Sequence, residues 1–124
     1  MKIALVGQMR AGKDTVKDLL IEKLSLNGFV TVLTISNGIH TVLKELVPNI
    51  YSKGKPRKAL QSVGTLFREL DEKVWINKLT TSKEYIQADT KGEPIIVTDV
   101  RLPSEVKALK EKGCLWFHKS LFNI

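Results

Sequence analysis

The segment Gly7-Gln8-Met9-Arg10-Ala11-Gly12-Lys13-Asp14-Thr15 carries the densest chemistry in the sequence, and it follows directly on the apolar run Ile3-Ala4-Leu5-Val6. Its spacing, G-x-x-x-x-G-K between a buried strand and a helix, is that of a phosphate-binding loop. Gly7 and Gly12 permit turns that a Cβ would block, so that successive backbone N–H groups, through Arg10 and Ala11, point at phosphate oxygens. The N-terminus of the following helix adds partial positive charge. Lys13 is placed to reach the β- and γ-phosphates of a nucleoside triphosphate as a point charge.

The position after the lysine, where a Ser or Thr hydroxyl usually meets Mg²⁺, holds Asp14. A carboxylate beside phosphates is repulsive unless a cation lies between them, so Asp14 implies a Mg²⁺ held partly through water. Thr15 is then available to donate its hydroxyl to the α-phosphate. This departure points away from GTPases and motor ATPases and toward a kinase acting on a nucleotide or metabolite.

Phosphoryl transfer requires cations around the phosphates, a metal, and alignment of donor with acceptor. Asp99, at the tip of the apolar run Ile95-Ile96-Val97-Thr98, is the natural carboxylate to orient Mg²⁺ or its waters. Arg101, two residues further on, projects over the same crevice, and Arg57 and Arg68 belong to a helical stretch upstream. A guanidinium fork suits a phosphate dianion better than an ammonium. Together the three arginines make a cradle for an acceptor phosphate, and Gln61 offers hydrogen bonds to a base edge. Phe67 and Trp75 read as core residues, His40 as a solvated histidine facing away from an apolar stripe, and Cys114 as a buried, inert thiol.

The elements that must position these groups follow from apolar periodicity. Lys2–Val6 is a first strand. A helix from Gly12 to about Leu26 turns Val16, Leu19, Leu20 and Leu24 inward and ends at Asn27-Gly28. Phe29–Ser36 is a second, parallel strand rich in β-branched residues. Ser36-Asn37-Gly38 reads as a turn at its carboxyl end, where open α/β sheets bind ligands. A helix then buries Ile39, Val42, Leu43 and Leu46, and Pro48 bars its continuation. After a loop over 48–56, Pro56 opens a third helix with Leu60, Val63, Phe67 and Leu70 on its apolar face. Asp71 caps a fourth helix, and Lys83–Ala88 extends the helical stretch. Ile95–Asp99 is a third strand, Pro103–Lys112 a helix stopped by Gly113, and Cys114–His118 a fourth strand. The expected architecture is α/β, a three-layer sandwich of P-loop type. It holds about four parallel strands and a helical acceptor-binding insertion over about 38–89, all in one domain.

A chain of 124 residues with 43% hydrophobic and 27% charged residues has the composition of a globular protein with a real core. The apolar runs are strand-sized, so no membrane partner is expected, and the N-terminus reads as a core strand rather than a signal peptide. The one cysteine excludes an internal disulfide and fits a reducing cytoplasm. A net charge of +7 invites a nucleic-acid reading, but the lysines are scattered rather than gathered in a stripe. Two phosphorylated small molecules account for the charge equally well and are preferred.

Beyond the loop, the segments Lys55-Pro56-Arg57, Leu60-Gln61, Gly64-Thr65, Arg68, Asp71, Trp75 and Thr98-Asp99-Val100-Arg101-Leu102-Pro103-Ser104-Glu105 resemble the phage-type deoxynucleoside monophosphate kinases. These belong to the P-loop nucleoside monophosphate kinase superfamily. The resemblance implies transfer of the γ-phosphoryl of ATP to a (deoxy)nucleoside monophosphate, with Mg²⁺, in the cytoplasm of a host cell. It gives Lys13 and the loop backbone the ATP phosphates, and Thr15 the α-phosphate. Gly64 and Arg68 echo a Gly-Asp-x-x-Arg pattern in which the arginine grips the acceptor phosphate. Asp99 and Arg101 become a metal-orienting acid and a second phosphate clamp. Asn37, Gly38 and Gln61 would line the acceptor base pocket. Members of the family continue past the fourth strand with an arginine-bearing lid and a fifth strand. The resemblance therefore implies that these come from a second polypeptide or that the protein is a homo-oligomer; a truncated, inert relic is the remaining reading. Two other functions stay open: a kinase for another phosphorylated metabolite such as dephospho-coenzyme A, and a non-catalytic nucleotide- or nucleic-acid-binding protein.

Overall fold

The strands β1 (Lys2–Val6) and β3 (Ile95–Val100) are buried almost without interruption rather than at alternate residues. That pattern requires cover on both faces, which is the condition of a parallel sheet. The structure, a computed structural model, describes residues 1–6 and 13–118. With β2 (Thr31–Thr34) and β4 (Leu115–His118) the strands form one all-parallel sheet in the order β2-β3-β1-β4. This is an α/β fold.

Two helical layers supply the cover. On one face, Ile3, Leu5 and Ile96 pack against Leu20, Ile21 and Leu24 of α1 (Lys13–Leu24) and against Val30. The other face takes Ala4, Val6, Ile95, Val97 and Val100 against the helices α2 (Ser36–Leu46), α4 (Val74–Thr80), α5 (Lys83–Lys91) and α6 (Pro103–Glu111). α3 (Arg57–Leu70) packs on α2 and α4 and contributes Ala59, Leu60 and Val63 to the rim of that core. The helices expected as an insertion therefore build most of one face: Trp75, Ile76, Leu79, Tyr85 and Ala88 are all core residues.

Several boundaries differ from the sequence expectation. β2 starts at Thr31, and Phe29 is 82% exposed, because among the described strands β2 pairs on one side alone and only its middle is covered. The turn expected at Ser36-Asn37-Gly38 is instead the first turn of α2. On α1, Ile21 turns inward beside Leu20 and Leu24, and Leu19 is half exposed. Leu70 of α3 is 76% exposed, since the last turn of that helix runs past the core. The stretch over 48–56 contains a 3₁₀ segment, Pro48–Lys53. Asp71 forms a turn ahead of α4, its Oδ1 accepting the Lys73 N–H at 3.0 Å.

Two glycines set how closely α2, α3 and α4 approach. A Cβ on Gly38 would stand 3.2 Å from the Trp75 ring, and one on Gly64 would stand 3.0 Å from Ile39 Cδ1. Trp75, 2% exposed, donates its Nε1–H to the Gly64 carbonyl at 3.1 Å and packs in a T-shaped pair with Phe67 at 5.7 Å between centroids. The carbonyl of Gly64 thus ties α3 to α4 while its missing side chain admits α2. Gly64→Val is expected to lower unfolding free energy by about 1–3 kcal/mol through overpacking, read as a lower urea midpoint at unchanged slope.

Candidate functional site

Because the sheet interior is largely apolar, with Thr98 near the end of β3 as a buried polar residue, polar side chains collect where the strands end. A cleft of about 580 Å³ opens at the carboxyl ends of β2 and β3. Ile35, Ser36, Ile39 and His40 line it from the β2–α2 junction, Lys55, Arg57, Leu60, Gln61 and Arg68 from the approach to α3 and α3 itself, and Asp99, Arg101 and Leu102 from the end of β3. Ligands bind at this end of open α/β sheets. β1 delivers the chain to the same end at Val6, opposite Val100, and α1 resumes at Lys13.

The end of β3 is irregular. Ala4 pairs with Val97 and Val6 with Val100, so one residue of β1 between those pairs faces two of β3, Thr98 and Asp99. Asp99 takes φ 66, a left-handed backbone that a residue with a side chain seldom adopts. A bulge of this kind re-aims side chains, and non-glycine left-handed residues gather at functional sites. Here it turns Asp99 into the cleft, where its Oδ1 accepts from Arg101 Nη2 at 2.9 Å.

Behind that pair lies Glu105, 1% exposed at the start of α6. Its Oε1 accepts the backbone N–H groups of Arg101 at 3.3 Å and Leu102 at 3.2 Å, and its Oε2 faces Arg68 Nη2 at 3.4 Å. A buried carboxylate is tolerated because the helix N-terminus and a guanidinium both compensate it. Lys55 and Arg57 stand at the mouth and make no ion pair among the described residues. Four cations against the one carboxylate of Asp99 line a cleft whose other walls are Ile35, Ile39, Leu60 and Leu102. That arrangement suits a ligand with an anionic end and a flat apolar body.

His40 is half-buried, and its Nδ1 is 2.8 Å from the Tyr51 hydroxyl. Burial, followed by the Lys55 and Lys44 ammonium groups, holds the imidazole below its ordinary value of 6.5. The histidine is therefore neutral at pH 7 and offers a hydrogen-bonding group to the cleft rather than a fifth charge.

Of the residues singled out on the sequence, Arg57, Gln61, Arg68, Asp99 and Arg101 converge on this cleft. Asn37 and Gly38, read as a base-pocket turn, lie in α2 outside the cleft lining; Gly38 faces Trp75 and Lys78. Gly64 is not among the cleft-lining residues; it faces Ile39 and serves packing. Gly7, Arg10, Ala11 and Gly12 lie outside the described residues, as do the side chains of Lys13, Asp14 and Thr15. No group of three metal-ligating side chains occurs among the described residues. Sequence reasoning placed Ser36 at the ligand-binding end without giving it a role, missed His40 and Lys55 as lining, and left Glu105 without a role. For Glu105 a signal existed, a glutamate at the third position of a Pro-initiated helix, which caps its own N-terminus.

Fold and cleft together define an α/β parallel-sheet protein with a cationic, partly apolar binding cleft at the carboxyl edge of its sheet. No family model and no solved structure matches the sequence. Among curated proteins it is similar to the uncharacterized protein ORF77 of Ictalurid herpesvirus 1 (strain Auburn), at 32% identity over 111 residues. The match covers 90% of this chain and 46% of that protein, so the chain spans less than half the length of the relative. No described helix is long and apolar enough to cross a membrane.

The lowered histidine carries a pH signature. Between the folded value and the ordinary 6.5 the unfolded chain binds the proton that the folded chain refuses. The His40 contribution to stability is therefore present above 6.5 and lost as pH falls through the folded value. Denaturant melts across this range should show wild type losing stability relative to His40→Asn as pH falls, with no such divergence above neutrality.

Proposed function

We propose that this chain carries the nucleotide- and acceptor-binding part of a kinase that moves the γ-phosphoryl of ATP to a (deoxy)nucleoside monophosphate, with Mg²⁺. The observation that carries the reading is the convergence of Lys55, Arg57, Arg68 and Arg101 on one cleft at the carboxyl end of the sheet. The phosphate-loop sequence Gly7–Thr15 leaves β1 at that same end. On this reading the fold is the P-loop three-layer sandwich, and the region of about 38–89 is its acceptor-binding part.

The geometry supports the following roles. Arg68 and Arg101 hold the acceptor phosphate, and Lys55 and Arg57 at the mouth draw the dianion in and offset charge on the transferring group. The nucleoside lies against Ile39, Leu60 and Leu102, with Ser36, His40 and Gln61 reading its polar edge. A hydrated Mg²⁺ needs only one or two protein carboxylates beside the phosphates, a demand that Asp99, with Asp14, would meet; the ion supplies charge neutralisation between donor phosphates. The similarity to a viral protein supports a viral source, and action in the host cytoplasm is part of the proposal.

A companion belongs to the same proposal. β4 is an edge strand among the described strands, with Leu115 53% and Trp116 40% exposed, and an uncovered parallel edge is a template for a further strand. We place a second polypeptide, or a second copy of this chain, on that edge. Sizing with mass measurement should show a species heavier than the 13.9 kDa monomer, at least with source-cell extract; a monomer under both conditions sinks this part.

ADP release is to be measured across the nucleoside monophosphates and other phosphorylated acceptors, alone and with that extract. Release with a nucleoside monophosphate supports the assignment, and silence under both conditions overturns it. Lys13→Ala should abolish release at an almost unchanged melting temperature. Arg101→Ala should raise KM for the acceptor about 10-fold or more, the loss of a charge-assisted bond to phosphate.

A further inference from the structure

We propose that Glu105 is the positioning residue of the anion clamp, a buried carboxylate that holds Arg68 and the Arg101 backbone in place before a phosphate arrives. The kinase reading supplies only the identity of the ligand; the clamp itself rests on the geometry.

Arg68 and Arg101 come from different elements, α3 and the loop after β3. Two long cationic side chains facing one cleft repel each other and lose much rotamer freedom when a phosphate fixes them. Each is instead tethered by a carboxylate. Asp99 holds the Arg101 guanidinium at 2.9 Å, and Glu105 Oε2 faces Arg68 Nη2 at 3.4 Å across 37 residues of chain. The other oxygen of Glu105 binds the N–H groups of Arg101 and Leu102, so one side chain sets both the α3 arginine and the backbone from which the second arginine springs.

The two carboxylates differ in access. Glu105 is 1% exposed and stays out of a ligand's reach, whereas the Asp99 side chain is 18% exposed and lines the cleft. The contact from Glu105 to Arg68 is long and occupies a single nitrogen. Arg68 Nε, itself buried, has no hydrogen-bond partner among the described residues. The guanidinium is thus oriented without being saturated, which is what a preassembled oxyanion receptor requires. A residue that merely capped α6 would need the two backbone bonds alone and would gain nothing from Arg68.

The test is a double-mutant cycle on the full chain with Glu105→Gln, Arg68→Gln and the double variant. Affinities are read for a nucleoside monophosphate, its parent nucleoside and inorganic phosphate. Glutamine keeps an oxygen for the α6 bonds and removes the charge. Glu105→Gln should weaken the two phosphate-bearing ligands about 10-fold and leave the nucleoside unchanged, and the loss should vanish in the Arg68→Gln background. Equal loss in both backgrounds, parallel loss of nucleoside, or no loss overturns the proposal. If Glu105→Gln fails to fold, nitrogen NMR of the Arg68 guanidinium in the wild-type chain decides: restricted rotation supports the clamp, and free averaging overturns it. A wild type that binds phosphate but transfers none, alone or with source-cell extract, overturns the kinase reading while the cycle still judges Glu105. A wild type that binds neither phosphate ligand overturns both.

Discussion

The burial of β3 is the constraint from which the remaining structure follows. Ile95, Ile96 and Val97 have no exposed surface, and β1 and β2 pair with their strand on either side. A strand in that position satisfies its backbone through its neighbours and needs apolar cover above and below. α1 provides one cover and the helices between β2 and β3, with α6, provide the other. Nothing polar can be placed along such a strand, so the first polar residues, Thr98 and Asp99, fall where the pairing with β1 slips.

The slip converts a sheet end into a site. Once β3 bulges and Asp99 turns left-handed, its carboxylate meets the Arg101 guanidinium and the chain enters α6 with Glu105 beneath it. Cations that would be mutually repulsive in a partly apolar cleft are tolerated because Arg68 and Arg101 each have a carboxylate partner. The net excess of positive charge is left at the mouth, on Lys55 and Arg57. Neutral His40, propped by Tyr51, adds hydrogen-bonding capacity without adding to the repulsion.

Close helix packing behind the cleft fixes its width. Gly38 and Gly64 let α2 approach α4 and α3, and the Trp75 indole joins the last two through the Gly64 carbonyl. Ile39 stands against Gly64 and also lines the cleft, so the same contact that seats α3 sets the apolar wall facing a ligand. The buried Cys114, its thiol pushed up by burial, fills space beside this core and serves no evident chemistry.

Runs such as Ile3–Val6 and Ile95–Val97 could be read directly, because a parallel strand buried on both faces has to be continuously apolar. Pro103 and Gly113 likewise bounded α6 through local backbone chemistry, and the guanidinium and carboxylate types at 57, 68, 99 and 101 singled out residues that converge on one cleft. Helix rotation was less legible. Leu19 and Leu70 are as apolar as the residues that were buried in their place or beside them, and only the neighbouring layer determines which leucine finds cover. Ser36-Asn37-Gly38 has turn chemistry, yet packing of Gly38 on Trp75 favours a helix there. His40 lies off the apolar stripe of its own helix and was half-buried by Tyr51, a residue whose position depends on a 3₁₀ turn with no strong local signal. Glu105 was visible as a helix-start residue, but its ion pair joins side chains 37 residues apart. Local propensity and periodicity are properties of neighbours along the chain, whereas a clamp between two helices exists only once the sheet has brought them to the same end.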